Sequence, residues 1–193
     1  DALVKAKHLK DAKQAIKKAK KKGFDATKLQ ALFSQSNVNA DTKVPSSQQL
    51  RSLLEYYQTG QYGDAEKLAK SITQQFPQHQ FAWKVLGAIF GQSGRTVEAE
   101  NANQTSVALS PQDAEAHNNL GGTLQKLGRL DEAEASLRQA IVLKPDFAEA
   151  HYNLGNTLKE LGRLEAAEVS YKRAIALKPD YAVAHNNLGN TLK

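Results

Sequence analysis

Apolar and polar residues recur along most of this chain with a spacing that predicts pairs of helices. The segment 148–181 shows the pattern most clearly, because its apolar residues recur every three or four positions and so share one face of a helix. Gly162 predicts the end of a first helix, and Pro179 predicts the end of a second. The apolar positions are Leu154, Leu158 and Leu161, followed by Ala166, Ala167, Tyr171, Ala174, Ile175 and Leu177.

The predicted helix pair is one copy of a repeat. Residues 114–147 and 148–181 are identical at 22 of 34 positions, and the segment 182–193 matches the start of the second copy at 10 of 12 positions. A fixed period of this length predicts a stack of helix–turn–helix units, because one unit cannot bury its apolar face without a neighbour. The interacting surface should therefore be sought on a face that several units share.

The repeat divides the chain into segments of different character. We expect a basic helical segment over residues 1–34 and a polar linker over 35–48, with the solenoid over 46–193. The predicted units of the solenoid are about 46–79, 80–113, 114–147 and 148–181, with a partial unit at 182–193.

The consensus positions of the units resemble a known family. In the second unit they are Trp83, Leu86, Gly87, Phe90, Gly94, Ala99 and Pro111. This spacing resembles the tetratricopeptide repeat (TPR). The resemblance implies an all-α fold, a right-handed α-solenoid whose first helices line a concave groove. The last units are also similar to the TPR superhelix of O-linked N-acetylglucosamine transferases and to bacterial TPR proteins.

Charge and composition exclude several function classes. The net charge of +6 arises in residues 1–28, which hold ten Lys and three Asp, whereas the remainder is nearly neutral. Residues 1–22 contain no Arg and no aromatic residue, so they do not favour nucleic acid or membrane binding. With no cysteine, the chain has no disulfide framework or thiolate metal site, which agrees with a cytoplasmic location.

Asparagine residues are the candidate ligand contacts. Asn119, Asn153 and Asn187 occupy equivalent positions in the first helices, although Asn is a poor helix former. A carboxamide both donates and accepts hydrogen bonds, so a row of them suits a peptide backbone; the resemblance implies the same use. The alternative is that these are solvated residues spread by duplication of one unit. The predicted site comprises Asn118, Asn119, Asn153, Asn156, Asn186, Asn187, Asn190, Tyr152, Gln125 and Lys159.

The carboxylate clamp of TPR proteins that bind chaperone tails is incomplete in this sequence. Lys84 and Asn119 match two clamp positions, but Ala88 replaces an Asn. Glu149 stands where a cation is required and would repel a carboxylate. The sequence therefore does not favour an acidic peptide terminus.

Three histidines at equivalent repeat positions suggest a metal site only superficially. His117, His151 and His185 replace Trp83, and equivalent residues of successive units are too far apart to share one metal ion. We expect these side chains to be partly buried packing residues, and we expect no cofactor.

The second unit carries polar residues at core positions. Asn103 and Ser106 lie in its second helix where apolar residues are expected. They predict weak packing between the second and third units.

The sequence as a whole predicts a non-enzymatic scaffold that binds an extended peptide or partner segment in the groove. One alternative is the substrate-recognition region of a larger glycosyltransferase-like or sulfotransferase-like enzyme. Another is self-assembly through the terminal half-repeat, where Leu188 and Leu192 are expected to be exposed.

Overall fold

The computed structural model describes residues 44–191, which fold entirely into helices joined by short loops. The predicted helical segment 1–34 and most of the linker 35–48 lie outside these residues. No helix in residues 44–191 is long and apolar enough to cross a membrane. The helices are α1 (Ser47–Gln58), α2 (Tyr62–Gln75), α3 (Gln80–Gln92), α4 (Thr96–Leu109), α5 (Ala114–Lys126), α6 (Leu130–Leu143), α7 (Ala148–Glu160), α8 (Leu164–Leu177) and α9 (Ala182–Thr191).

Successive helices pack as pairs, and the pairs stack on one another. Units 1 to 4 comprise α1–α2, α3–α4, α5–α6 and α7–α8, and α9 packs on unit 4. The first helices of neighbouring units also touch directly, as in the contacts of α3 with α5 and of α5 with α7. The structure is therefore an all-α solenoid in which first helices form one continuous face.

The first described helix begins where the expected linker and the expected first unit overlap, at residues 46–48. Ser46 accepts a hydrogen bond from the backbone amide of Gln49 at 3.2 Å, and the Gln49 side chain accepts one from the Ser46 amide at 2.9 Å. This capping box satisfies two otherwise free helix amides, so residues 47–48 are helical. The sequence Ser-Ser-Gln-Gln is polar but encodes a helix start.

Glycines end the first helix of every unit. Gly60, Gly94, Gly128 and Gly162 have φ angles of 73–75°, which lie in the left-handed region that other residues rarely adopt. They recur every 34 residues and turn the chain back so that each second helix lies against the first. The turn is therefore identical in all four units.

A second set of glycines allows the two helices of a unit to approach closely. A Cβ atom built on Gly121 would lie 2.6 Å from Leu137 Cγ, and one built on Gly155 would lie 2.6 Å from Tyr171 Cε1. Unit 1 reverses the sizes, with Leu53 at the glycine position and Ala69 on the second helix, and both are fully buried. One large and one small residue thus fill this contact in units 1, 3 and 4.

Gly121 and its neighbour Gly122 should respond in opposite ways to the same substitution. Gly121→Ala should lower the free energy of unfolding by about 1–3 kcal/mol, because the methyl group overlaps Leu137. Gly122→Ala should raise it by up to ~1 kcal/mol, because nothing lies within 4 Å and Ala favours the helix. Urea unfolding monitored by circular dichroism measures both. Equal effects of the two substitutions would contradict the close-approach explanation.

Where unit 2 meets unit 3, buried polar residues accompany buried apolar ones such as Ala116 and Leu124. One cluster of buried apolar residues extends from Leu53 to Ala102, and the next begins at Leu137. Between them lie Asn103 and Ser106, which are 1% and 0% exposed. Both polar side chains are thus buried at core positions, and the weak packing expected between units 2 and 3 stays a prediction.

Hydrogen bonds satisfy most of this buried polar layer. The Asn103 amide group donates to Thr123 Oγ1 at 3.0 Å and to the Asn119 carbonyl at 3.3 Å, and Ser106 Oγ accepts from Gln80 at 2.8 Å. Asn103 Oδ1 is buried without a hydrogen-bond partner among the described residues. It lies against Gly87, where a Cβ atom would be 1.9 Å away. An unpaired buried acceptor of this kind costs about 1–3 kcal/mol.

Replacing Asn103 by Leu should therefore stabilise the protein. Asn103→Leu removes the unpaired acceptor and reproduces the Leu137 contact of unit 3, so the free energy of unfolding should rise by about 1–2 kcal/mol. The matched reverse change, Leu137→Asn, should lower it by about 2–4 kcal/mol. Urea unfolding tests the pair, and a loss of stability in Asn103→Leu would show that the polar layer is favourable as it stands.

Ion pairs also connect the second helices of neighbouring units in a repeating arrangement. Arg95 pairs with Glu66 at 2.8 Å, and Arg163 pairs with Glu134 at 2.5 Å. Arg129 pairs with Glu100 at the equivalent position between them. Hydrogen bonds from Lys70 and then Arg95 lower the pKa of Glu66 below its ordinary value. Because the arginines are partly exposed, these pairs fix the register of stacking more than they add stability.

Candidate functional site

The face formed by first helices contains a recess of about 660 Å³, which we call the carboxamide groove. Helices α3, α5 and α7 supply most of its walls, and Asn103 of α4 reaches it from behind. A second recess of about 450 Å³ continues it toward α9 and includes Lys159 and Asn187. Among the predicted site residues, those lining the two recesses are Asn118, Asn119, Gln125, Asn153, Asn156, Lys159 and Asn187.

The other three predicted site residues lie outside the linings of these recesses. Tyr152 packs between aromatic rings, with centroids 6.1 Å from Tyr171 and 5.1 Å from Tyr181. Asn186 and Asn190 are exposed on α9. The structure thus places Tyr152 in an aromatic cluster beside the groove and leaves the two asparagines on the last described helix.

Carboxamides of neighbouring repeats are bonded to one another. Asn153 donates to Asn118 Oδ1 at 2.9 Å, and Asn187 donates to Asn156 Oδ1 at 2.8 Å. The Tyr171 hydroxyl also donates to Asn156 Oδ1 at 2.9 Å, and burial raises the pKa of Tyr171 to about 12, so it remains a donor at neutral pH. Sequence reasoning missed this role, because residues one repeat apart show no sign of contact in the sequence.

Part of the hydrogen-bonding capacity of the groove remains available to a ligand. Within residues 44–191, the Asn119 carboxamide makes no hydrogen bond, although its backbone carbonyl accepts from Thr123 at 2.9 Å. The Asn118 amide group also makes none there, since only Asn118 Oδ1 is used. These two half-buried side chains therefore offer donors and an acceptor in the floor of the recess.

The equivalent histidines bond to the loop that precedes each unit. Nε2 of His117, His151 and His185 lies 3.0, 3.1 and 2.9 Å from the carbonyls of Pro111, Pro145 and Pro179. Trp83 makes the same bond to the Pro77 carbonyl through its indole nitrogen at 2.8 Å. The histidines replace the tryptophan in this bond and hold the loop. Residues 44–191 contain no cluster of His, Cys, Asp or Glu that could hold a metal ion.

The groove becomes apolar at its N-terminal end. A recess of about 310 Å³, which we call the apolar recess, lies where Val85 replaces the Asn of later repeats. Leu54 and Phe81 form part of its wall, and Tyr57, Ala88 and Asn119 line both this recess and the carboxamide groove. The exchange of Asn for Val85 was the sequence signal for this change in character.

Comparison with known families agrees with this architecture. TPR-repeat family models match residues 50–114, 102–135, 124–162 and 155–193. The chain belongs to the tetratricopeptide repeat family. TPR units form scaffolds for protein–protein interaction, which is the general role of this chain. No curated protein sequence matches it significantly.

Several solved TPR structures resemble the solenoid. A crystal structure of MamA matches with a TM-score of 0.64 and 24% identity over 71% of this chain and 80% of that chain. PilF of Pseudomonas aeruginosa matches with a TM-score of 0.67 and 20% identity over 75% of this chain and 66% of that chain. The first TPR of Spaghetti (RPAP3), bound to an HSP90 peptide, matches with a TM-score of 0.57 and 23% identity. The match covers 59% of this chain and 90% of that chain. At these identities the likeness establishes the fold.

One cation of this TPR groove is already neutralised. Lys84 lies 2.9 Å from Asp113 and 2.8 Å from Glu115. Burial lowers the pKa of Lys84, but hydrogen bonds to Glu115 and Asp113 outweigh it and raise the pKa above its ordinary value. Burial likewise raises the pKa of Asp113, whereas bonds from Lys84 and the Ala116 amide lower it overall. Lys84 thus links units 2 and 3 through ion pairs.

Removing the charge of Asp113 should destabilise the solenoid in a pH-dependent manner. The pKa of Asp113 is lower in the folded than in the unfolded chain, so its contribution is complete above about pH 4 and is lost as pH falls through the folded pKa. Asp113→Asn preserves a capping side chain but should cost about 1–2 kcal/mol at pH 7. Unfolding in urea at pH 7 and pH 3 tests this.

The control for that experiment is Asp180→Asn, which changes an exposed carboxylate. We expect Asp180→Asn to match the wild type at both pH values. We also expect the deficit of Asp113→Asn to shrink at pH 3. A deficit that is equal at pH 7 and pH 3 would mean that the charge of Asp113 is unimportant.

Proposed function

We propose that this chain binds an extended polypeptide segment along the carboxamide groove. The observation that carries the proposal is the recess of about 660 Å³ whose floor holds carboxamides from successive repeats with unused hydrogen-bonding capacity. Each carboxamide offers both a donor and an acceptor, as does each peptide unit. A segment in extended conformation leaves its backbone groups free to pair in this way.

The asparagines divide into two roles under this proposal. Asn153 and Asn156 each make a hydrogen bond to a neighbouring repeat, which restricts how their carboxamides can turn. The Asn119 carboxamide and the Asn118 amide group line the recess, and no described residue forms a hydrogen bond with them. A groove whose polar groups are held in place before binding loses less entropy when the ligand arrives.

An acidic chaperone-type peptide does not suit this groove. The solved complex of the Spaghetti (RPAP3) TPR contains the peptide SRMEEVD. In the present chain Lys84, which matches a clamp position in the sequence, is bonded to Asp113 and Glu115. Glu149, which stands where the clamp requires a cation, is exposed. A ligand carboxylate would have to compete with two carboxylates of the protein itself.

The two alternative functions depend on different parts of the structure. Self-assembly through the last helix was expected from exposure of Leu188 and Leu192. Leu188 is half-buried against a cluster of buried residues that includes Leu154 and Tyr171, and Leu192 lies outside the described residues. That expectation of exposure is therefore corrected for Leu188. A substrate-recognition role within a larger enzyme would use the same groove, with catalysis performed elsewhere.

Loss of the free carboxamide should weaken peptide binding without unfolding the protein. We expect peptides of about ten residues, selected on the wild-type chain from a random displayed library, to bind Asn119→Ala about tenfold more weakly, because the lost hydrogen bonds contribute about 0.5–1.5 kcal/mol each. Fluorescence polarisation with the selected peptides measures this.

The matched control is Asn101→Ala, which removes an exposed carboxamide from α4 outside the groove. Asn101→Ala should bind like the wild type, and circular dichroism should show both variants folded. Equal affinity of Asn119→Ala and Asn101→Ala, or failure of any peptide to enrich, would overturn the proposal.

A further inference from the structure

We infer that the groove selects segments in which a bulky apolar side chain lies next to a basic residue, with the apolar side chain in the apolar recess. This inference rests on the proposed function and adds sequence preference to it. It follows from the shape of the recess, from its continuity with the carboxamide groove, and from the charge at its rim.

The apolar recess has the size and lining to take one large side chain. Its volume is about 310 Å³, and its walls include Leu54, Phe81 and Val85. Leu54 is 41% exposed, so the recess leaves part of an apolar wall in contact with water. Covering that wall with an aliphatic or aromatic side chain is favourable, whereas a polar side chain placed against Leu54, Phe81 and Val85 would lose hydration.

The apolar recess is continuous with the carboxamide groove, so a segment bound in the groove can supply the side chain that enters the recess. Tyr57, Ala88 and Asn119 line both recesses, so a segment that pairs with the Asn119 carboxamide passes the mouth of the apolar recess. One side chain of an extended segment can then turn into the recess while the backbone remains in the groove. The occupant is therefore part of the groove-bound segment.

The more exposed of the two charged side chains that line the apolar recess is a carboxylate. Lys84 and Glu115 both line the recess, and Asp113 is bonded to the same ammonium group. The Lys84 ammonium group is therefore shared between two carboxylates. The Lys84 side chain is only 19% exposed, whereas that of Glu115 is 60% exposed, so the accessible charge is the carboxylate. It favours Lys or Arg beside the apolar side chain and disfavours Asp or Glu.

Selection from a random displayed peptide library tests both features separately. On the wild-type chain we expect joint enrichment, at least fivefold over the library, of Leu, Ile, Phe or Met next to Lys or Arg. Leu54→Gln makes polar a wall that belongs to the apolar recess and not to the carboxamide groove, so it should strongly reduce the apolar enrichment while peptides are still captured. The matched control is Leu164→Gln, at an exposed leucine of α8, which should select as the wild type does.

The charge is tested by Glu115→Gln against Glu149→Gln, its equivalent one repeat later. Glu115→Gln should remove the basic preference and keep the apolar one, whereas Glu149→Gln should keep both. Captured peptides without an apolar preference, or equal selection by Leu54→Gln and Leu164→Gln, would overturn this inference and leave groove binding intact. Peptides whose affinity survives Asn119→Ala, or no enrichment at all, would instead refute groove binding and this inference with it.

Discussion

The close approach of the two helices within each unit is the constraint on which this structure depends. In units 3 and 4 a glycine of the first helix admits a large residue of the second, as with Gly121 and Leu137 or Gly155 and Tyr171. In unit 1, Leu53 and Ala69 meet the same requirement with reversed sizes. Because this contact recurs every 34 residues, the first helices stack with a constant orientation. The groove is a consequence of that repetition.

Polar bonds between repeats then convert the stacked face into an ordered surface. The bond from Asn153 to Asn118 and that from Asn187 to Asn156 hold side chains that would otherwise rotate freely. At the other end, Lys84 connects unit 2 to unit 3 through two carboxylates. The same residue types that suggest ligand binding therefore also stabilise the stack. Structure and recognition share these residues, and substitutions must be chosen to separate the two roles.

Periodicity was sufficient to predict the fold, because Gly162 and Pro179 and their equivalents mark helix ends by local chemistry alone. The groove position of Asn119 and Asn153 followed from the family resemblance. Contacts between repeats could not be predicted in the same way, since they depend on how side chains of separate units meet. The unpaired oxygen of Asn103 and the ion pairs of Lys84 are examples. The capping box of Ser46 was not predicted, because it lies where a polar stretch resembling a linker overlaps the start of the expected first unit.

The central claim is that an extended segment pairs with carboxamides on the face of the first helices. NMR spectra of the asparagine and glutamine side-chain amides, recorded while a selected peptide is added, test it most directly. The account predicts that the amides of Asn118 and Asn119 shift with the added peptide, while those of Asn101 and Gln104 on α4 remain unchanged. Shifts confined to Asn101 and Gln104, with Asn118 and Asn119 unchanged, would contradict it.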